Sequence, residues 1–303
     1  MDLENEKDEK ASIEIPKIED GINIHEAKRV SNNYGKYKII NKLYKTKNGE
    51  LFLISDIENK RNEINVYILN KIEIKTKEKK IQIEEEINTI KKIDYKYVIK
   101  IIESFIVHEE EKDFMCIIMN YYKNDLSKII YQTNYLNMRN IWKIFIQIIF
   151  GLNYLKLKNI IPKYLNPQNI YLDNENNIKI GGINMVSDTT REDIKELLYT
   201  SPEIINGEEN DEKSNIWSVG CIIYELAFKK PVFEKEKLIT NIYEIDCFPD
   251  ECEKELSRII PKLICEKSKR FSINDVILNG IFKSKIIEIN LFSEIVKDDI
   301  QGK

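Results

Sequence analysis

The amino-acid sequence predicts an α+β chain of two lobes, a strand-rich first part carrying one helix and a mainly helical second part. Three observations predict it. Between residues 37 and 120 the apolar runs are short and broken by polar turns. Within that region Ile83, Ile87 and Ile90 switch to spacings of four and three, the signature of one helix face. From Asn140 onward Phe145, Ile148, Ile149, Leu152 and Leu155 form a continuous helical stripe. With 303 residues, 42% of them hydrophobic, the chain can bury a sizeable core, as one large domain or as two lobes sharing a cleft.

The elements follow in order. Residues 1–33 are rich in Glu, Asp and Lys with few large apolar groups and are expected to form a mobile tail. The first lobe spans 34–119. YKIINKL and ELFLIS read as strands separated by the turn KTKNG, and NVYILNKI follows the polar stretch IENKRNE. Strand alternation puts Ile68 and Asn70 on one face and Leu69 and Lys71 on the other. After the helix come two more strand-like runs, VIKIIESFIV and FMCIIMNYY. The second lobe spans 120–285, where a small hairpin, NIYLDNENNIKIGG, interrupts the helices. Residues 286–303 form a C-terminal extension. No repeat of 20–50 residues is apparent.

Composition removes several function classes. A net charge of −4, with both signs spread along the chain, gives no reason to expect nucleic-acid binding. No apolar run approaches the roughly 20 residues of a membrane helix. The start, MDLENEKDEK, lacks the apolar stretch of a signal peptide and the Gly that myristoylation requires. The five cysteines, Cys116, Cys221, Cys247, Cys252 and Cys265, form no CxxC pair, and only His25 and His108 could join them. A zinc site is therefore not expected. Scattered cysteines of this kind point to reduced thiols inside a cell, in the cytoplasm with the nucleus left open.

The segment Asn166-Pro167-Gln168-Asn169-Ile170-Tyr171-Leu172-Asp173 resembles the end of a eukaryotic protein kinase catalytic loop and the strand after it, with wording most similar to the NIMA-related kinases. From this anchor, landmarks fall in family order over Tyr37–Phe282. Ser201-Pro202-Glu203 stands where the A-P-E element belongs. Asn215-Ile216-Trp217-Ser218-Val219-Gly220 resembles the D-x-W-S-x-G start of the long buried helix, and Glu86 matches the Glu of the regulatory helix. Arg270 lies where the family keeps an Arg that pairs with the A-P-E Glu. The resemblance implies a two-lobed kinase fold with nucleotide between the lobes under a Gly-rich loop.

Phosphoryl transfer in that family needs a Gly-rich loop, a strand Lys paired to the helix Glu, a catalytic-loop Asp, and metal ligands from Asn and the D-F-G Asp. Here Leu43-Tyr44-Lys45-Thr46-Lys47-Asn48-Gly49 keeps only the third glycine, Gly49, either as a remnant phosphate cradle or as an ordinary strand turn. Asn70 aligns with the strand Lys. Lys71 is adjacent on the opposite face, and a one-residue shift of register would restore it. Ile68 replaces the small residue over the adenine and narrows the pocket. H-R-D aligns with Pro162-Lys163-Tyr164, so Tyr164 replaces the general base, a loss worth about 10²–10⁴ in rate, or roughly 3–5 kcal/mol. Asn166 replaces the phosphate-contacting Lys. Gly182, in Ile180-Gly181-Gly182-Ile183-Asn184, replaces the metal-binding Asp. Asn169 is then the one familiar ligand left for a hard cation that seeks anionic oxygen.

Other groups carry two readings each. Glu86 either pairs with Lys71 or is a solvated helix residue. Met119, at the gatekeeper position, and Tyr121 belong to the vestigial nucleotide cleft or to the core and linker. Tyr171, at the adenine floor, suits stacking or packing. Asp188 is a substitute ligand or a solvated loop residue. Lys163 could pair with a phosphorylated Ser187, Thr189 or Thr190. The segment between Gly182 and Ser201 is short for an activation loop.

The altered positions are chemical, while Glu203, Asn215, Trp217 and Arg270 are structural in the family. The leading expectation is a catalytically dead pseudokinase, a scaffold or allosteric partner of an active kinase or another signalling protein. It requires no cofactor, with ATP binding without Mg²⁺ dependence left open, and expects no nucleic-acid or membrane partner. The alternative is a weakly active or unconventional Ser/Thr kinase using Lys71 and either Asp188 or Asp193.

Overall fold

The computed structural model describes residues 33–45, 49–57, 65–132, 136–163, 165–182, 197–233 and 254–289. The first lobe is a six-stranded antiparallel sheet of β1 (Asn33–Tyr34), β2 (Tyr37–Lys45), β3 (Gly49–Asp56), β4 (Val66–Ile74), β5 (Ile101–Glu109) and β6 (Lys112–Asn120), in the spatial order β1-β2-β3-β4-β6-β5. Its one helix, α1 (Lys77–Ile90), starts where the Thr76 hydroxyl accepts a hydrogen bond from the Lys79 amide at 3.1 Å. The face carrying Ile83, Ile87 and Ile90 is buried, as the spacing predicts.

Alternation along β4 and β6 divides the sheet into two faces. Ile72, Met115, Ile117 and Met119 join the main core beneath α1. Leu69, Cys116 and Ile118 form a second, outer cluster with Tyr34, Tyr37, Ile39, Phe52 and Ile54. Asn33 already pairs with Lys38, so the strand region begins one residue inside the expected tail.

The second lobe begins with β7 (Asn124–Asp125) and continues through α2 (Leu126–Gln132) and α3 (Met138–Leu157). A 3-10 turn at Pro167–Asn169 leads into β8 (Ile170–Leu172) and β9 (Ile178–Ile180), the predicted hairpin. Then come α4 (Pro202–Ile205), α5 (Glu212–Phe228), α6 (Lys254–Leu263), α7 (Ile273–Leu278) and α8 (Gly280–Ile289). The last helix runs four residues past the expected boundary at 285. Within α5 every residue from Ser214 to Ala227 is buried, so it is the axis on which this lobe packs. Trp217 stacks on Phe233 with ring centroids 5.5 Å apart.

The lobes are joined by backbone as well as by packing. The Ile180 amide donates to the Tyr97 carbonyl at 2.8 Å, and the Ile99 amide donates to the Ile180 carbonyl at 3.0 Å. Tyr95 stacks on Tyr154 of α3 at 4.4 Å. The strand preceding Gly182 is therefore tied to the segment following α1. No helix among the described residues is long and apolar enough to cross a membrane.

Candidate active site

Strand β4 decides which side chain reaches the cleft. Its pairing with β6 sets Ile68 opposite Met119 and Lys71 opposite Cys116, so Asn70 shares the inner face with Ile68 and Ile72. Lys71 points outward. Its ammonium lies 2.5 Å from Glu109, 4.1 Å from the centre of the Phe114 ring and 5.5 Å from that of Tyr34. Burial alone would push this ammonium down, but hydrogen bonds to Glu109 and Tyr34 carry it above its ordinary value. Burial likewise opposes the charge on Glu109, and the bonds from Lys71 and Tyr34 pull its carboxyl below the usual range.

The expected places for Lys71 in the cleft and beside Glu86 are thus corrected. A β-strand sends neighbours to opposite faces, and Lys71 is held outside by an ion pair. Glu86 remains on α1 and is half-buried. Its Oε1 accepts a hydrogen bond from Gln82 at 3.1 Å, and its buried Oε2 has no hydrogen-bond partner among the described residues.

Gly49 has a structural reason of its own. It pairs with Ile72, and a Cβ there would run into the Lys71 carbonyl oxygen. The close approach of β3 to β4 accounts for this glycine without any ligand. Residues 46–48 lie outside the described residues, as do Tyr164, Ile183, Asn184, Ser187, Asp188, Thr189, Thr190 and Asp193.

In the catalytic-loop segment Pro162 is buried and accepts a hydrogen bond from the Asn210 side chain at 2.7 Å, while Lys163 is exposed. Asn166 is buried. Its Oδ1 accepts from the Gln168 and Asn169 amides, each at 3.0 Å, capping the 3-10 turn. An Asn followed by Pro is itself a turn-capping signal, and that signal was present in the sequence. The Asn169 carbonyl accepts from the Gly181 amide at 2.7 Å. Asn169 and Gly182 are therefore brought near each other, as the family order implies. Gly182 adopts φ +65°, a left-handed conformation in which a side chain is strained.

Between the lobes, Met119 is buried in the core. Tyr171 is half-buried, stacks on Tyr122 at 5.8 Å, and lies so close to Gly181 that a Cβ there would sit 2.6 Å from its ring. Tyr122 was not singled out in the sequence, because only the tertiary contact shows its role. Tyr121 lines a cavity of about 270 Å³ with Tyr67, Asn120, Tyr122 and Asp173, whose lining does not include Asn70, Glu86, Asn169 or Gly182.

The supporting residues assemble as expected. Arg270 and Glu203 are both buried, with guanidinium–carboxylate contacts of 2.5 and 3.1 Å. Asn215 and Trp217 are buried in the first turns of α5. Asn215 borders a cavity of about 30 Å³ together with Asn166 and Ser201.

Among the described residues the donor set does not fit a Mg²⁺-bound nucleotide. Neither a carboxylate at position 182 nor a cleft-facing lysine on β4 is present, and Asn169 supplies only a neutral oxygen.

The protein kinase domain family matches residues 37–280. The chain is 26% identical over 242 residues to a probable serine/threonine-protein kinase nek2 of Dictyostelium discoideum, covering 73% of this chain and 57% of that protein. It is 28% identical over 253 residues to serine/threonine-protein kinase Nek8 of Danio rerio, covering 78% and 35% respectively. With human serine/threonine-protein kinase Nek11 the values are 27%, 76% and 37%. The chain thus spans between about a third and somewhat over half the length of these relatives. A matched domain running through both lobes, with the same order of landmarks and the buried Glu203–Arg270 pair, means that this chain belongs to the protein kinase domain family.

Proposed function

We propose that this chain is a catalytically inactive member of the family that works by binding, as a scaffold or allosteric partner of a protein kinase or another signalling protein. The observation that carries the reading is the direction of Lys71. The one lysine near the family's strand position faces away from the cleft and is committed to Glu109, leaving Asn70 inside. Gly182 adds to it, because a residue with no side chain stands where the metal ligand is needed and its backbone is left-handed. A neutral Asn can donate a hydrogen bond to a phosphate but supplies no charge against the developing negative charge of phosphoryl transfer. Any nucleotide in the cleft would be a structural ligand held without Mg²⁺. An intracellular, cytoplasmic location and a protein partner, rather than nucleic acid or membrane, complete the reading.

The second reading is weak or unconventional Ser/Thr phosphoryl transfer. It draws support from the names of the relatives and from the retained Glu86 and Asn169. A cellular replacement assay separates the two. A chain carrying Asn70→Ala and Asn169→Ala should keep its function if binding is the activity. If the double variant folds normally and function is lost, while deletion of residues 1–33 leaves function intact, the binding reading is wrong.

A further inference from the structure

We propose that Tyr34, Lys71 and Glu109 form a clamp that holds strand β1 as a strap across the outer face of the first lobe, and that release of the strap uncovers the apolar surface beneath it. β1 has only two residues, Asn33 and Tyr34, paired with Lys38 and Tyr37 across a turn at Gly35, whose φ is +60°. A ladder that short does not hold itself against water. What fixes it is the Tyr34 side chain, only 5% exposed and packed in the outer apolar cluster, with its ring 5.5 Å from the Lys71 ammonium.

Lys71 is the centre of the arrangement. It stands on β4, binds Glu109 at the end of β5 at 2.5 Å, and lies 4.1 Å from the Phe114 ring of β6. One ammonium therefore fastens β1 to three strands of the sheet. The seam is charged, while what it covers is apolar: Leu69, Ile118, Phe52, Ile54 and the fully buried Cys116, which pairs directly opposite Lys71. Strands β2, β3, β4, β6 and β5 pair with one another through ladders that do not involve β1, so the opening is local. The clamp is separate from the cleft and stands whether or not the chain transfers phosphate.

Cys116 reports the opening directly. Burial holds its thiol up to about 12, so it is unreactive at neutral pH while covered. Cys221, buried in α5 of the other lobe, reports global unfolding in the same sample. The full chain is treated with iodoacetamide under native conditions, and the modification of each cysteine is followed by mass spectrometry. Tyr34→Ala, Lys71→Met and the milder Glu109→Gln are compared with the wild type. Labelling of Cys116 should rise by about tenfold or more while that of Cys221 stays unchanged. Where one variant does not fold, Glu109→Gln decides. Equal Cys116 labelling in wild type and variants overturns the proposal. So does a rise of Cys116 and Cys221 together, since the trio would then support the whole fold rather than a local strap.

Discussion

Arg270 grips Glu203 with both arms of its guanidinium, and no other charge pair among the described residues is as deeply enclosed. The same guanidinium donates to the backbone carbonyls of Cys265 and Lys213 and lies 4.9 Å from the Trp217 ring. Ser214 adds a hydrogen bond to Glu203 at 3.1 Å. Every polar direction of the arginine is used, which is what makes a charge tolerable at this depth. Arg270→Ala leaves Glu203 buried without its counter-charge and should cost about 3–5 kcal/mol in chemical denaturation. Arg270→Lys should recover little of this, because an ammonium cannot reproduce the planar fork. A loss within experimental error of zero for the alanine variant would remove the pair from the stability of this lobe.

The pair also gives a signed pH dependence. Burial raises the Glu203 carboxyl, but the hydrogen bonds from Arg270, a backbone hydrogen bond and the charge of Arg270 together outweigh burial and leave it below its ordinary value of 4.5. A carboxyl depressed in the folded state contributes stability above the unfolded value and loses it as pH falls through the folded one. Wild-type stability should therefore fall more steeply below about pH 4.5 than that of Glu203→Gln. Parallel acid profiles of the two would contradict the assignment.

Gly49→Ala tests whether that glycine serves a phosphate or a strand. A methyl group forced against the Lys71 carbonyl should cost about 1–3 kcal/mol of stability. Thermal melts without ligand should show the loss. An unchanged melt combined with weakened nucleotide binding would return Gly49 to the phosphate-loop reading.

The purified chain should show no protein phosphorylation on generic Ser/Thr substrates in a sensitive radiometric assay. Gly182→Asp alone should not create it, because the left-handed backbone costs a side chain about 1–2 kcal/mol and Asn70 still faces the cleft. Turnover by the unaltered chain that disappears on Asn169→Ala or Tyr164→Ala would establish an atypical enzyme.

Mg²⁺ should not strengthen binding of any nucleotide. Titrations monitored by thermal shift, in parallel with Mg²⁺ and with EDTA, should coincide. A stabilisation of several degrees that requires the metal would bring Asp188 back as a ligand.

The sequence by itself determined the order of elements, because hydrophobic period is a local property. The face of Ile83, Ile87 and Ile90 and the stripe through Phe145 and Leu152 are buried as read. It also determined that Lys71 and Asn70 face opposite ways, since alternation follows from strand geometry alone. The meeting of Glu203 and Arg270, 67 residues apart, was implied only by the resemblance to the kinase family. What the tertiary structure decided were the partners. Lys71 finds Glu109 only because β6 lies between β4 and β5, Gly49 is fixed by a carbonyl from the neighbouring strand, and Tyr171 meets Tyr122 only when the linker and the hairpin are packed together. Period and propensity act over a few residues of chain, whereas these contacts join strands brought together by burial of the core, and a single sequence carries no record of which surfaces will meet.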